Sequence, residues 1–269
     1  MEPPRQSVIA AARRLSFREA GAGPPLILLH GIGSGSASWP EQFARFSGRH
    51  RVIAWDAPGY GESDLPESES PLAIDYATAL RALVDRLGFG RFHLLGQSMG
   101  SVIAAAFARA WPERLVTLTL TGASGGLGRL DEAERAKAMQ QRLGDMAADG
   151  PEAYAAKRSG TMLAEDASAE VRERARRVMA EIRPEGFARG ARMLGRADSI
   201  ADLVHVRVPA LVMCGTADRI TPEPGVRRIA GAIMGARYVP LAGGGHASYL
   251  DRAPAYNAAL EAFLAENPG

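Results

Sequence analysis

Hydrophobic positions along this chain come in two textures. Short unbroken apolar runs occur at residues 26–29, 52–55 and 210–214, and two more at 92–95 and 115–120 are interrupted only by His93, Thr117 and Thr119. Between several of them lie longer stretches where apolar residues return every three or four positions. Leu72, Tyr76, Leu80, Leu83, Val84 and Leu87 are the clearest case, with Gly88 closing it. An unbroken run of that length reads as a strand covered on both faces; the spaced pattern reads as a helix with one buried stripe. Strands are therefore predicted at 26–30, 51–56, 92–95, 115–120, 208–215 and 237–241. Helices are predicted at 40–46, 72–87, 101–108, 222–234 and 253–266. Asp251 is the predicted N-cap of the last helix. Residues 1–7 read as loose, 7–14 as ambiguous, and 15–19 as an edge strand closed by Gly21-Ala22-Gly23-Pro24-Pro25. Segment 65–71 is polar and proline-bounded, hence a loop. Pro240 fits a terminal edge strand, where its missing N–H is not needed.

Repeated strand–helix alternation predicts an α/β class: a mostly parallel central sheet with helices on both faces. The pattern changes between 123 and 202. Four helical stretches, 131–147, 151–158, 168–182 and 184–196, follow one another without a strand, punctuated by Gly144, Gly150, Gly160, Pro184 and Gly195. A wholly helical stretch inside an alternating chain reads as an insertion. The predicted organisation is a core at 1–122, an inserted helical cap at 123–202, and the remainder of the core at 203–269. Extra peripheral helices are the plainer reading of the same segment. Met139, Met146, Met162, Met179 and Met193 lie in it and could serve either as an adaptable pocket lining or as packing. Trp39 is poised between pocket and core in the same way.

Composition changes this picture little. The chain has 269 residues, 46% hydrophobic and 23% charged, with a net charge of +2. That suits one large domain with an insertion, and gives no pull toward nucleic acid or anionic membrane. One cysteine, Cys214, excludes an internal disulfide and a cysteine-based zinc cluster, and its apolar run marks it as a buried strand residue. The first residues lack the order of a secretory signal, and no run is long enough to span a bilayer, so the expectation is a soluble, cytoplasmic protein.

The chemistry sits where strands end. Gly96-Gln97-Ser98-Met99-Gly100 lies between an apolar run and a predicted helix, the context of a nucleophile elbow. Ser98 would project from a sharp turn at a helix start, where unpaired N–H groups favour developing negative charge. A serine hydroxyl needs a base, and the base needs an orienting acid. Of five histidines, His50, His93 and His205 read as structural, and His30 belongs to the glycine-rich turn His30-Gly31-Ile32-Gly33. His246 follows the last strand in a Gly-rich loop and is the predicted base. Asp218, after the strand 210–214, is the predicted acid. Asp56 is its rival, read instead as holding the loop 57–63. The order Ser98, Asp218, His246 is neither that of chymotrypsin nor that of subtilisin. An oxyanion would be held by the N–H of Met99, next to the nucleophile, and by that of Ile32, within the loop His30, Gly31, Gly33.

His30-Gly31-Ile32-Gly33, Asp56-Ala57-Pro58-Gly59-Tyr60-Gly61-Glu62-Ser63, the elbow, Gly215-Thr216-Ala217-Asp218 and Gly245-His246 together resemble the α/β-hydrolase superfamily. Within it the chain is similar to 3-oxoadipate enol-lactonases, small carboxylesterases and the C–C bond hydrolases of meta-cleavage pathways. The resemblance implies a capped enzyme that needs no metal or organic cofactor and acts on a small-molecule ester, lactone or related carbonyl compound. Ser98 argues against the dehalogenase and epoxide hydrolase relatives, which carry aspartate at the elbow. Meta-cleavage hydrolases often carry Asn before the nucleophile and Trp after the histidine; here Gln97 and Ala247 stand there. The expected activity is a cofactor-independent serine hydrolase working through an acyl-enzyme. The alternatives are a C–C hydrolase using the same triad, and a small-molecule receptor on the same fold.

Overall fold

The computed structural model describes residues 2–268. Eight strands form one sheet: β1 (Arg5–Ala10), β2 (Arg13–Ala20), β3 (Pro25–Leu29), β4 (Arg51–Trp55), β5 (Phe92–Gln97), β6 (Leu115–Thr121), β7 (Ala210–Gly215) and β8 (Arg237–Leu241). Their order across the sheet is β1-β2-β4-β3-β5-β6-β7-β8. β1 and β2 are antiparallel to their neighbours, and the other six run parallel. Every residue of β5 and β7 is buried, the polar His93 and Gln97 of β5 included. The helices are α1 (Pro40–Phe46), α2 (Ala73–Arg86), α3 (Met99–Ala110), α4 (Glu132–Arg158), α5 (Ala169–Ala180), α6 (Pro184–Arg196), α7 (Ser199–Leu203), α8 (Glu223–Ala232), α9 (Ser248–Asp251) and α10 (Ala253–Glu266). Trp39 is wholly buried against Tyr249, with ring centroids 4.5 Å apart, so it is core and not pocket.

The N-terminal reading needs correction. Residues 5–7 are not loose; with the ambiguous residues 8–10 they form β1, which pairs with β2 and leaves the 15–19 segment inside the sheet instead of at its edge. Ala10 pairs with Arg13, so Ala11 and Ala12 make a two-residue turn, both at positive φ (48° and 60°). Such turns normally announce themselves with Asn-Gly or Asp-Gly, and two alanines do not. Asp251 does not cap α10 either. It ends the one-turn helix α9, Arg252 stands at the cap position, and the Asp251 carboxylate accepts from Ala164 N–H (2.8 Å) and Gly245 N–H (3.1 Å).

Between β6 and β7 the chain is helical, α4 to α7, with no strand. The stretches 131–147 and 151–158 are two arms of α4, bent where Gly150 takes φ +67° ahead of Pro151. α7 is additional. One face of α6 grips the loop after β4. Arg183 donates to Ser63 O (2.7 Å), Arg189 to Pro66 O, Arg192 to Glu69 O (2.9 Å) and Arg196 to Ser70 O (2.9 Å). Arg5 ties the first strand to both layers, donating to buried Asp56 (3.1 Å) and to Glu181 beyond α5 (3.2 Å). Among the described residues no helix is long and apolar enough to cross a membrane.

Candidate active site

Ser98 stands between the last residue of β5 and the first of α3 with φ 51° and ψ −112°, a conformation L-residues rarely adopt. The two flanking glycines permit it. A Cβ on Gly96 would overlap the Gly100 carbonyl oxygen, and one on Gly100 would overlap that of Leu29. The turn is further pinned by Ser101, whose hydroxyl donates to Ser98 O (2.6 Å) and accepts from Ser124 N–H (3.0 Å).

His246 and Asp218 lie on the loops after β8 and β7, and the structure brings them together: His246 Nδ1 is 2.8 Å from Asp218 Oδ2. Thr221, which the sequence reading did not single out, donates its hydroxyl to the same oxygen (2.7 Å), and its N–H bonds to Oδ1 (2.9 Å). Burial alone would push the Asp218 carboxyl up. The hydrogen bond and charge of His246, with the Thr221 donors, outweigh it and hold the carboxyl below its ordinary range. An anionic Asp218 fixes the Nδ1–H tautomer of His246 and leaves the lone pair on Nε2. The loop carrying His246 is itself held from the helical segment, where Met162 O accepts from Ala247 N–H (2.8 Å).

Asp56 takes no part in this group. Its buried carboxylate accepts from Ser36 N–H (2.8 Å), Ser16 Oγ (2.8 Å) and Arg5. Asp56 holds the loop 57–63, as expected from sequence, through its own carbonyl oxygen and through Ser16, not by a direct bond from its carboxylate. That loop is reached through Ser16, whose hydroxyl accepts from Glu62 N–H (3.0 Å), and through Ser63, whose hydroxyl donates to Asp56 O (2.7 Å).

The loop after β3 is built around His30. Its Nε2 accepts from Ala57 N–H (3.0 Å), so Nδ1 carries the proton and donates to Gly31 O (2.8 Å). Complete burial lowers its basicity and keeps the ring neutral for both roles. All peptides among the described residues are trans, so fixing the Gly31 carbonyl fixes the opposite direction of the Ile32 N–H on the same peptide plane. Tyr60 Oη donates to the next carbonyl, Ile32 O (3.1 Å). Ile32 N–H has no acceptor among the described residues, and Met99 N–H, first in α3, has none within its helix.

Ser98, His246, Ile32 and Gly33 line one cavity of about 660 Å³, whose outer wall comes from the helical segment. Met162 and Met179 contribute to that wall, whereas Met146 and Met193 are buried packing and Met139 packs on Gly195. Cys214 is buried in β7, its thiol pushed up to about 12 by burial and then by the neighbouring Asp218 and Glu223, which rules it out as a nucleophile. Among the described residues no group of three or more His, Cys, Asp or Glu side chains could hold a metal ion.

Comparison with known proteins places the chain in a family. Residues 24–253 match the family model described as alpha/beta hydrolase fold. The chain belongs to this family. Among curated relatives, a 2-hydroxy-6-oxo-6-phenylhexa-2,4-dienoate hydrolase of Comamonas testosteroni is 38% identical over 118 residues, a match covering 42% of this chain and 41% of that protein. A 2-hydroxy-6-oxononadienedioate/2-hydroxy-6-oxononatrienedioate hydrolase of Paraburkholderia phymatum is 28% identical over 94% of this chain and 91% of its own length. Among solved structures, a thermophilic esterase of Thermogutta terrifontis superposes with a TM-score of 0.87 at 27% identity, over 98% of each chain. The enol-lactonase of Burkholderia xenovorans LB400 gives 0.86 at 25% identity, covering 97% of this chain and all of that one.

Proposed function

We propose that this alpha/beta hydrolase is a serine hydrolase that cleaves a small ester or lactone without a cofactor. One observation carries the reading: a serine in the left-handed region on a strand–helix turn shares a cavity with a histidine whose other nitrogen is 2.8 Å from a buried carboxylate. In this scheme Ser98 Oγ attacks the substrate carbonyl while His246 Nε2 takes its proton. The N–H groups of Ile32 and Met99 receive the oxyanion. His246 then returns the proton to the leaving oxygen, and the C–O bond breaks. Water, deprotonated by His246, attacks the acyl-enzyme and releases the acid with Ser98 restored. Asp218 keeps the imidazole in its working tautomer and supports the imidazolium. His30, Gly31 and Gly33 shape the oxyanion loop, and residues 123–202 act as the cap that closes the cavity.

The dienoate hydrolase names of two relatives favour a second reading, hydrolysis of a C–C bond in a vinylogous diketone by the same residues. A steady-state assay of wild type and Ser98→Ala on p-nitrophenyl esters, lactones and a meta-cleavage dienoate separates the two. Ester or lactone turnover lost by several orders of magnitude in the variant is the expected outcome. Turnover of the dienoate alone moves the assignment to the second reading, and unchanged hydrolysis by Ser98→Ala sinks both.

A further inference from the structure

The helical segment meets both catalytic loops along one short stretch, residues 162–166, between α4 and α5. Met162 O accepts from Ala247 N–H (2.8 Å), and Ala164 N–H donates to Asp251 Oδ2 (2.8 Å). Glu165 pairs with Arg219, the residue after Asp218, and Asp166 pairs with Arg252 (2.6 Å). Both of these ion pairs have exposed carboxylates and contribute little. Asp251 is placed differently. Its Oδ2 also accepts from Gly245 N–H (3.1 Å), and its Oδ1 lies 3.3 Å from the same nitrogen. One carboxylate oxygen thus joins Ala164 of the helical segment to the residue before His246.

The Asp251 carboxylate has no other hydrogen-bond partner among the described residues. The adjacent Arg252 donates to the Asp251 carbonyl oxygen (2.8 Å) and to Asp166, and not to the carboxylate. Burial raises the carboxyl above its ordinary range, and the two N–H donors offset only part of that. Losing either N–H would leave this desolvated acceptor under-satisfied, so the carboxylate resists separation of the two segments. The space between them is equally tight. A Cβ on Gly245 would stand 2.6 Å from Ala164 N and 2.8 Å from Asp251 Oδ2, so only glycine lets the segments come this close.

We propose that Asp251 is a positioning residue for His246, an oxygen bridge that holds the catalytic loop and residues 162–164 as one body. The role rests on the reading of His246 as the general base, and it gives Asp251 no contact with substrate. Met162 and Leu163 line the cavity beside His246, whereas Ala164 and Asp251 do not. A substrate packed against that wall therefore presses on the same body that carries His246 Nε2. The distance from the base to Ser98 is set by the wall as well as by the sheet.

The bridge needs an acceptor and not a charge, and three variants separate the two. Asp251→Ala removes the acceptor. Asp251→Asn keeps one carbonyl oxygen for both N–H groups. Ala164→Pro removes the donor on the far side, after a Leu163 whose ψ of 157° already suits a following proline. On p-nitrophenyl butyrate, kcat is expected to fall about 10²-fold in Asp251→Ala and Ala164→Pro, the scale of a 1 Å misplacement, with KM little changed. Asp251→Asn should stay within about tenfold of wild type, as when a charge-assisted bond becomes a neutral one. Wild-type kcat in folded Asp251→Ala overturns the role, and so does an equal loss in Asp251→Asn. A loss in Asp251→Ala with none in folded Ala164→Pro overturns the link to the helical segment. Two measurements need no substrate. The far-downfield proton resonance of His246 Nδ1–H, bonded to Asp218, should persist in Asp251→Asn and be lost to exchange with water in Asp251→Ala. If wild type cleaves no ester, that loss still supports the bridge while the hydrolase scheme fails, and persistence of the resonance in Asp251→Ala removes the bridge. In wild type the amides of Ala164 and Gly245 should both exchange slowly, and fast exchange at either overturns the bridge even where a variant does not fold.

Discussion

At the scale of single residues, the site is an ion pair waiting to form, held by donors on one side. Asp218 receives two bonds from Thr221 and one from His246, and it stays ionised for that reason. Asp218→Asn keeps the shape but offers His246 the wrong partner. Turnover is expected to fall by about 10⁴-fold, the cost seen when a triad loses its tautomer control. The same substitution has a pH signature. The folded-state pKa lies below the unfolded value of about 3.9, so the ionised carboxylate contributes stability above that value. The contribution fades as pH falls through the folded pKa, because the unfolded chain binds the proton first. The gap in melting temperature between wild type and Asp218→Asn should therefore narrow between pH 6 and pH 3. A gap that stays constant or widens on acidification would show that Asp218 is not held as described. Ser98, His246 and Asp218 were legible in the sequence because each follows a strand and two sit in glycine-rich turns whose spacing has a mechanical cause. Thr221 was not, because a threonine before a proline reads as a turn.

At the scale of elements, apolar runs made five of the six parallel strands readable, and the 3.6-residue period did the same for α2. The first hairpin escaped for a physical reason. β1 is half-exposed and mixes polar with apolar residues, and its turn lacks the residues that tolerate positive φ. That mismatch is a stability reserve. Ala11→Asn with Ala12→Gly supplies the residues that a two-residue turn of this geometry prefers. Each removes a left-handed alanine, which costs of the order of 1 kcal/mol. Urea unfolding should show the double variant more stable by about 1 kcal/mol with an unchanged m-value. A loss of stability would mean that the turn does not hold both positive φ angles in solution. The gain has a route to the candidate site, since Arg5 at the start of β1 bonds the same Asp56 that receives the Ser36 N–H beside the loop after β3.

At the scale of the molecule, the two walls of the cavity differ in how firmly they are tied down. The sheet side is a core of fully buried strands. In the helical segment, α6 is fixed by four arginines to backbone carbonyls of residues 63–70 and by Gly186 packed directly on Gly59. The first arm of α4 is different. Over residues 132–149 only Met146 is buried, and the arm ends in a bend at Gly150. Segments with few buried apolar contacts open at low free-energy cost. Amide hydrogens of 132–149 should therefore exchange orders of magnitude faster than those of 184–196, although both are helical. Equal slow exchange in both helices would refute the difference in anchoring.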